Sequence, residues 1–268
     1  MEPLVKLAAK LPEGYTEHAP PPDLARHVVC AWTRLVPNAF DGAAHRVLPD
    51  GCADVLFAFD RPGERNGGFV GASVVGPMTK AIVVQGPQPR LLIGVRFAPG
   101  FAFAALGVPA AELEDQQVAY DLVYHDAAAD IDAMAGTASD TDRVAVVFDV
   151  VRRRLARGSA VPSYVRAALR RITAADGNIR VADLAREIGV TRQQLARQFS
   201  IHVGLTTKMF ARVMRAQAAV ARADAARAAY PRGVNWSAIA QDLGYYDQPH
   251  FIDEFKSLTG LKPGDWNR

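Results

Sequence analysis

The 268-residue sequence predicts an α+β chain. The N-terminal half reads as an antiparallel β-barrel or sandwich with added helices, the C-terminal half as an all-α domain of two helix-turn-helix units. Three observations predict this. First, a small pattern occurs twice between Val181 and Trp266. Ala185 and Gly189 recur as Ala240 and Gly244 at an offset of 55, while Leu195, Phe199 and Gly204 recur as Phe251, Phe255 and Gly260 at an offset of 56. One supersecondary unit used twice, with one residue inserted in the turn, explains both offsets. Second, short β-rich segments alternate with Pro and Gly clusters between 25 and 98, the spacing of a sandwich or small barrel. Third, residues 160–268 carry 16 Lys and Arg against 9 Asp and Glu, a balance of +7, whereas residues 1–159 carry 15 against 19, a balance of −4. A basic half beside a mildly acidic one suits phosphate contact in the C-terminal half only.

In chain order, residues 1–22 are Pro-rich and are expected to lie extended on the surface. HVVCAWTRLV, ADVLFAFD, AIVVQG and LLIGVRF follow as strands, with Val55, Phe57 and Phe59 alternating onto one face. Six to eight strands are expected across 25–98. The Gly-rich NGGFVGAS stretch reads as a turn. From Phe101 the β pattern gives way to helix, broken near Gly107 to Pro109. DRVAVVFDVVRRRLARG is an amphipathic helix with Val144, Val147, Val151 and Leu155 on one face. GSAVP, residues 158–162, is the expected linker between a domain at 1–157 and one at 163–268. The second domain opens on a helix from Tyr164, with Val165, Ala168, Leu169 and Ile172 inward.

Each repeated unit reads helix, tight turn, helix. In the first, Val181, Leu184, Ala185 and Ile188 share a face and Gly189 follows the last periodic residue, where a left-handed cap favours Gly. Thr191 then caps a second helix with Leu195 and Phe199 inward. In the second, Asn235 caps WSAIAQDLG, Gly244 makes the turn and Asp247 caps QPHFIDEFK, with Pro249 in the first turn, where its missing N–H costs little. A polar second helix in such a unit can enter the major groove of DNA. A long helix over 208–229 joins the units.

At LAREIGVTRQQLARQF, at FARVMRAQAA, and at IAQDLGYYDQPHFIDEFKSLTGLKPGDW, the chain resembles the AraC/XylS family of bacterial transcription regulators over roughly Val165 to Trp266. HRVLPDGCADVLFAF and VVGPMTKAIVVQGPQPRLLIGVRFAPG resemble the N-terminal sensory domain of one subgroup, which implies a cupin-like fold and assigns no chemistry. In the family, a helix under the sensory barrel often makes the dimer interface. The 142–158 helix is the candidate here, with packing on its own domain as the alternative.

Base-reading candidates on the first recognition helix are Arg192, Gln193, Gln194 and Arg197, because Arg can pair with guanine and Gln with adenine through two hydrogen bonds. Gln248 and His250, with Tyr246 beside them, are the candidates on the second, and Lys208 and Lys256 are candidate phosphate contacts. The family resemblance implies Arg two residues after Phe251. This chain has Asp253 there, then Glu254, so carboxylate repulsion of phosphate is expected to leave most affinity to the first unit. Arg215 matches a family Arg and could serve DNA or a structural ion pair. In the N-terminal half, Arg46, Asp54 and Arg96 are charged residues in or beside apolar strands and are the ligand candidates, an internal salt bridge being the alternative for Arg96.

No metal, cofactor or catalytic group is expected. HExxH, GxSxG and phosphate-loop patterns are absent from the sequence. His27-x-x-Cys30, with His45 and Cys52, lacks a metal-site spacing, and core cysteines are common. No run of about 18 apolar residues occurs, so no membrane span is expected, and MEPLVKLAAKLPEG lacks a signal-peptide core, so a cytoplasmic place is expected. The expected partners are double-stranded promoter DNA, a small-molecule effector, RNA polymerase and a second copy of the chain. In the alternative reading the N-terminal domain senses nothing and only dimerises or contacts other proteins.

Overall fold

A computed structural model describes residues 13–36, 44–62, 68–84, 90–137, 139–229 and 233–266. The expected extended start at 1–12 and the turns at 63–67 and 86–89 lie outside the described residues. The strands are β1 (Tyr15–His18), β2 (Val28–Leu35), β3 (His45–Val47), β4 (Ala53–Phe59), β5 (Phe69–Val75), β6 (Ile82–Val84), β7 (Leu91–Phe97) and β8 (Gln117–Ala119). The helices are α1 (Ala102–Leu106), α2 (Tyr120–Val123), α3 (Ala127–Gly136), α4 (Asp140–Ala156), α5 (Ser163–Ala174), α6 (Val181–Glu187), α7 (Arg192–Val203), α8 (Thr207–Ala229), α9 (Trp236–Asp242) and α10 (Gln248–Thr259).

The N-terminal half is an antiparallel sheet in the order β1-β2-β7-β4-β5-β8, with β3 and β6 pairing as a separate ribbon. The expected barrel does not close. β1 and β8 stand at opposite edges, while the ribbon strands pair with each other rather than bridging those edges. A sandwich remains compatible with this arrangement. Three elements differ from the sequence reading. Tyr15–His18, expected on an extended surface stretch, is an edge strand paired with β2. Phe69–Val75, expected as a Gly-rich turn, is a strand between β4 and β8, where pairing on both sides and the fully buried Val74 outweigh the weak strand preference of Gly. Gln117–Ala119 interrupts the expected helical stretch because it pairs with β5. Helix α3 and strand β3 were not legible in the sequence at all.

Alternation decides the two faces. Val55, Phe57 and Phe59 of β4 and Ile93, Val95 and Phe97 of β7 point into one core, joined by Val144, Val147, Phe148 and Val151 of α4. Helix α4 therefore spends its apolar face on its own domain. Its basic end is tied down as well. Arg153 and Arg154 bridge the buried Asp130 of α3, and Arg154 and Arg157 bridge Asp126, whose carboxyl their hydrogen bonds hold down at about 2.

The other face of the sheet carries polar residues. Arg96 Nε lies 3.2 Å from Asp54 Oδ1 and 3.4 Å from Asp50 Oδ2, all three largely buried. Trp32 Nε1 donates to Asp54 Oδ1 at 3.3 Å. To get there its ring crosses the backbone at Gly94, where a methyl would lie 2.3 Å from Trp32 Cε2. Burial pushes the Cys30 thiol up to about 12 and the Cys52 thiol up also, so neither supplies a thiolate at neutral pH.

The helical half does not float on its linker. Val161 is buried with Val165, Leu169 and Phe199, and Ala98 and Phe101 of the N-terminal half enter the same cluster. Leu48 and Ala81 pack with Ile239, Phe251 and Phe255. His202 of α7 is buried edge-on against Phe103 at 5.0 Å, and the partly buried His27 meets Phe101 at 4.9 Å. Among the described residues no helix is long and apolar enough to cross a membrane.

Arg96→Met leaves Asp50 and Asp54 buried without their cation and is expected to destabilise the fold by about 3–5 kcal/mol, read from urea denaturation. Burial also lowers the His27 and His202 imidazoles below their ordinary value. Unfolding restores that value of about 6.5, so below it the unfolded chain binds more protons. Stability is therefore full above that pH and declines as pH falls through it. The melting temperature is expected to drop between about pH 7.5 and 5.5, and His202→Leu is expected to shrink the drop.

Candidate nucleic-acid interface

The capping expected from sequence forms both units. Thr191 Oγ1 accepts from Gln194 N at 3.1 Å, Asn235 Oδ1 from Ala238 N at 3.1 Å and Asp247 Oδ1 from His250 N at 2.8 Å. Gly189 and Gly244 take φ of 74° and 75°, the left-handed backbone that turns each first helix into its second. Leu184, Ala185, Leu195 and Phe199 are buried in the first unit, and Ile239, Ala240, Phe251 and Phe255 in the second. Burying each large side chain contributes about 1.5–3 kcal/mol, which fixes how each recognition helix is rotated about its axis.

That rotation leaves the candidates outside. Arg192, Gln193, Gln194 and Arg197 are exposed on α7, and Gln248 and His250 are exposed at the start of α10. Tyr246, just before α10, is 97% exposed. Lys208 in the first turn of α8 and Lys256 on α10 are exposed as well. Among the described residues, Arg192, Arg197, Lys208 and Lys256 have no carboxylate within ion-pair distance, so their charge faces solvent. At about 1.5 Å per residue the 23 residues of α8 span about 34 Å, close to one turn of B-DNA.

The two carboxylates of α10 separate sharply. Asp253 is exposed, as the repulsion argument requires. Glu254 is not available to repel phosphate, because it is buried and accepts from Arg212 Nε at 2.9 Å and from the Tyr245 hydroxyl at 2.7 Å. Arg215 Nε lies 3.3 Å from Glu254 Oε1, the oxygen to which Tyr245 donates, and its guanidinium stacks 4.6 Å over the Tyr245 ring. Arg212 reaches on to Ser257 Oγ at 3.1 Å. Arg215 is thus a structural ion pair, the second of the two roles open to it. The signal was present in the spacing: Phe251, Glu254, Phe255 and Leu258 fall at i, i+3, i+4 and i+7, which puts Glu254 on the buried stripe.

The three N-terminal ligand candidates do not gather at one point. Arg96 and Asp54 pair with each other inside the sheet face. Arg46, on β3, instead donates from Nη1 to the Thr259 carbonyl at the end of α10, at 3.1 Å. Among the described residues no three His, Cys, Asp or Glu side chains come together as a metal would require.

Residues 184–268 match a family model described as a helix-turn-helix domain, and residues 16–119 match one described as a domain of unknown function, DUF6597. The helical half thus carries a helix-turn-helix domain of AraC type, a kind of domain found in DNA-binding transcription regulators. No curated protein sequence matches the chain. Solved structures of ToxT from Vibrio cholerae are similar at low identity. One crystal form shares 11% identity, covering 84% of this chain and 96% of that one with a TM-score of 0.40. An apo variant shares 12%, covering 88% and 96% with a TM-score of 0.43, and a form bound to unsaturated fatty acid shares 9%, covering 83% and 92% with a TM-score of 0.40.

Glu254→Ala leaves the Arg212 guanidinium and the buried Tyr245 hydroxyl without their acceptor and Arg215 without its counter-charge. Their removal together is expected to cost about 2–3 kcal/mol in denaturant unfolding, with Glu254→Gln recovering part of the loss.

Proposed function

We propose that the chain regulates transcription by placing α7 and α10 in successive major grooves on one face of promoter DNA. The observation that carries this reading is the pair of capped recognition helices, each buried on its apolar side and each presenting exposed polar side chains at its N-terminal end. In this reading Arg192, Gln193, Gln194 and Arg197 contact bases from α7, Gln248 and His250 contact them from α10, and Lys208 and Lys256 contact phosphate. The first helix carries more of the affinity, since it opens on cations while α10 exposes Asp253. Residues 163–268 form the DNA-binding domain, residues 1–157 the sensory and dimerising domain, and residues 158–162 the junction between them. A DNA target sets the protein in the cytoplasm.

The N-terminal domain is the part on which a small-molecule effector would act, by binding one arrangement of the two halves better than another. Its packing into the cores of both helix-turn-helix units supports that role. Homodimerisation and contact with RNA polymerase complete the proposal, as an activator bound at a promoter works by recruiting another protein.

Fluorescence anisotropy with duplex from upstream of the protein's own gene, against scrambled duplex, tests the reading across a salt series. Own-promoter DNA is expected to bind tighter by about 10³-fold or more. Arg197→Ala is expected to lose about 1–3 kcal/mol, Lys256→Ala to reduce the salt slope by about 1, and Asp253→Arg to tighten binding. Equal affinity for the two duplexes, with no effect of Arg197→Ala, would overturn it in favour of a protein-interaction module.

A further inference from the structure

We infer that the N-terminal domain is a bracket that sets the spacing of the two recognition helices, with Arg46 as the residue that positions the second. The inference rests on the DNA-binding reading above and adds to it a determinant of which operator spacing is accepted.

The bracket holds each recognition helix at the same point of the repeat. Gly204 and Gly260 occupy equivalent positions, 56 residues apart, and each is the left-handed cap that ends its recognition helix, with φ of 81° and 76°. Both abut the N-terminal half. A methyl on Gly204 would lie 2.4 Å from Pro77 Cγ and 2.7 Å from the Ala110 carbonyl oxygen. One on Gly260 would lie 2.6 Å from Arg46 Nη1. The end of α10 is also held by two hydrogen bonds, Arg46 Nη1 to the Thr259 carbonyl at 3.1 Å and Ala81 N to the Leu258 carbonyl at 2.7 Å. These are carbonyls of the last turn, which have no partner within the helix.

Pro77 and Ala81 belong to one short segment, so the same few residues touch both caps. Between the caps the bracket also holds α8. The buried Gln217 Nε2 donates to the Pro49 carbonyl at 2.7 Å, and Gly51 lies so close to the Phe210 ring that a methyl there would approach to 2.5 Å. Every one of these contacts is on the C-terminal end of a recognition helix or on the joining helix. The N-terminal ends, with Arg192 and Gln193 on one and Gln248 and His250 on the other, remain exposed. A domain that blocked DNA would cover those ends. This one grips the opposite ends, which fixes the distance between two reading heads and leaves them free to read.

Half-site spacing is a geometric property of the protein that reads it, so a loosened bracket should accept more spacings. The test uses the full-length chain and own-promoter duplex in which the two contacted segments, located by footprinting, are moved apart or together by short insertions and deletions. Wild type is expected to show one sharp optimum. Arg46→Ala is expected to flatten the profile several-fold, with affinity for a duplex holding the first segment alone unchanged. Arg46→Lys, which keeps a donor, should restore the sharp profile. Pro77→Ala tests the first cap in the same way. Amide exchange without DNA provides a separate arm, where Arg46→Ala should raise exchange at the Ala81 amide.

An unchanged spacing profile and unchanged Ala81 exchange in Arg46→Ala would overturn the bracket while the DNA-binding reading stood. Tighter binding by Arg46→Ala at every spacing would make the domain an inhibitor instead. Wild type that does not distinguish its own promoter from scrambled DNA would sink the DNA-binding reading itself.

Discussion

One helix has to serve two hydrophobic cores, and most of the molecule is arranged around that constraint. Phe210, Val213, Met214 and Ala216 of α8 complete the core of the first helix-turn-helix unit, and Ala219, Val220 and Ala223 complete the core of the second. The change of partner occurs within about one turn, where α8 carries small residues and the buried Gln217. Small side chains allow close approach from two sides, and the amide satisfies a backbone carbonyl of the N-terminal half that would otherwise be buried without a donor. Because α8 is continuous, any rotation of one unit about it is passed to the other.

Buried charge does the work of orientation around this spine. Glu254 gathers Arg212, Arg215 and Tyr245 at the crossing of α8 and α10. A purely apolar crossing would tolerate sliding, whereas a carboxylate that accepts from Arg212 and Tyr245 and faces Arg215 holds one geometry. Arg96 does the same for the sheet, joining Asp50 ahead of β4 to Asp54 within it. In both places the cost of leaving one partner bare exceeds what the pair contributes, so these groups specify arrangement more than they stabilise it.

Much of the helical half was legible from residue spacing. The repeat, the three caps, the buried faces of both units and the long joining helix all follow from local rules: side-chain oxygens cap helices, Gly takes left-handed backbone, and apolar residues at helical period face a core. The AraC/XylS resemblance rests on the same residues. The acidity of Glu254 suggests a phosphate-repelling surface group, whereas its position on the buried stripe of α10 takes it out of solvent. In the N-terminal half the strands with clear alternation, β4 and β7, were legible, while β5, β8 and β1 were not. Their residues carry too weak a local preference, and they are strands because neighbours supply their hydrogen bonds.

By itself, then, the sequence determined the two helix-turn-helix units, their exposed polar ends and the β character of the first half, since each depends on interactions within about a dozen residues. Only the tertiary structure decided that the sheet stays open, that α4 packs on its own domain, and that the first half touches both recognition helices at their C-caps. Those outcomes depend on pairs such as Arg46 with Thr259 and Gln217 with Pro49, which lie 213 and 168 residues apart in the chain. No local pattern encodes such a contact, because its free energy exists only once both partners have already been placed.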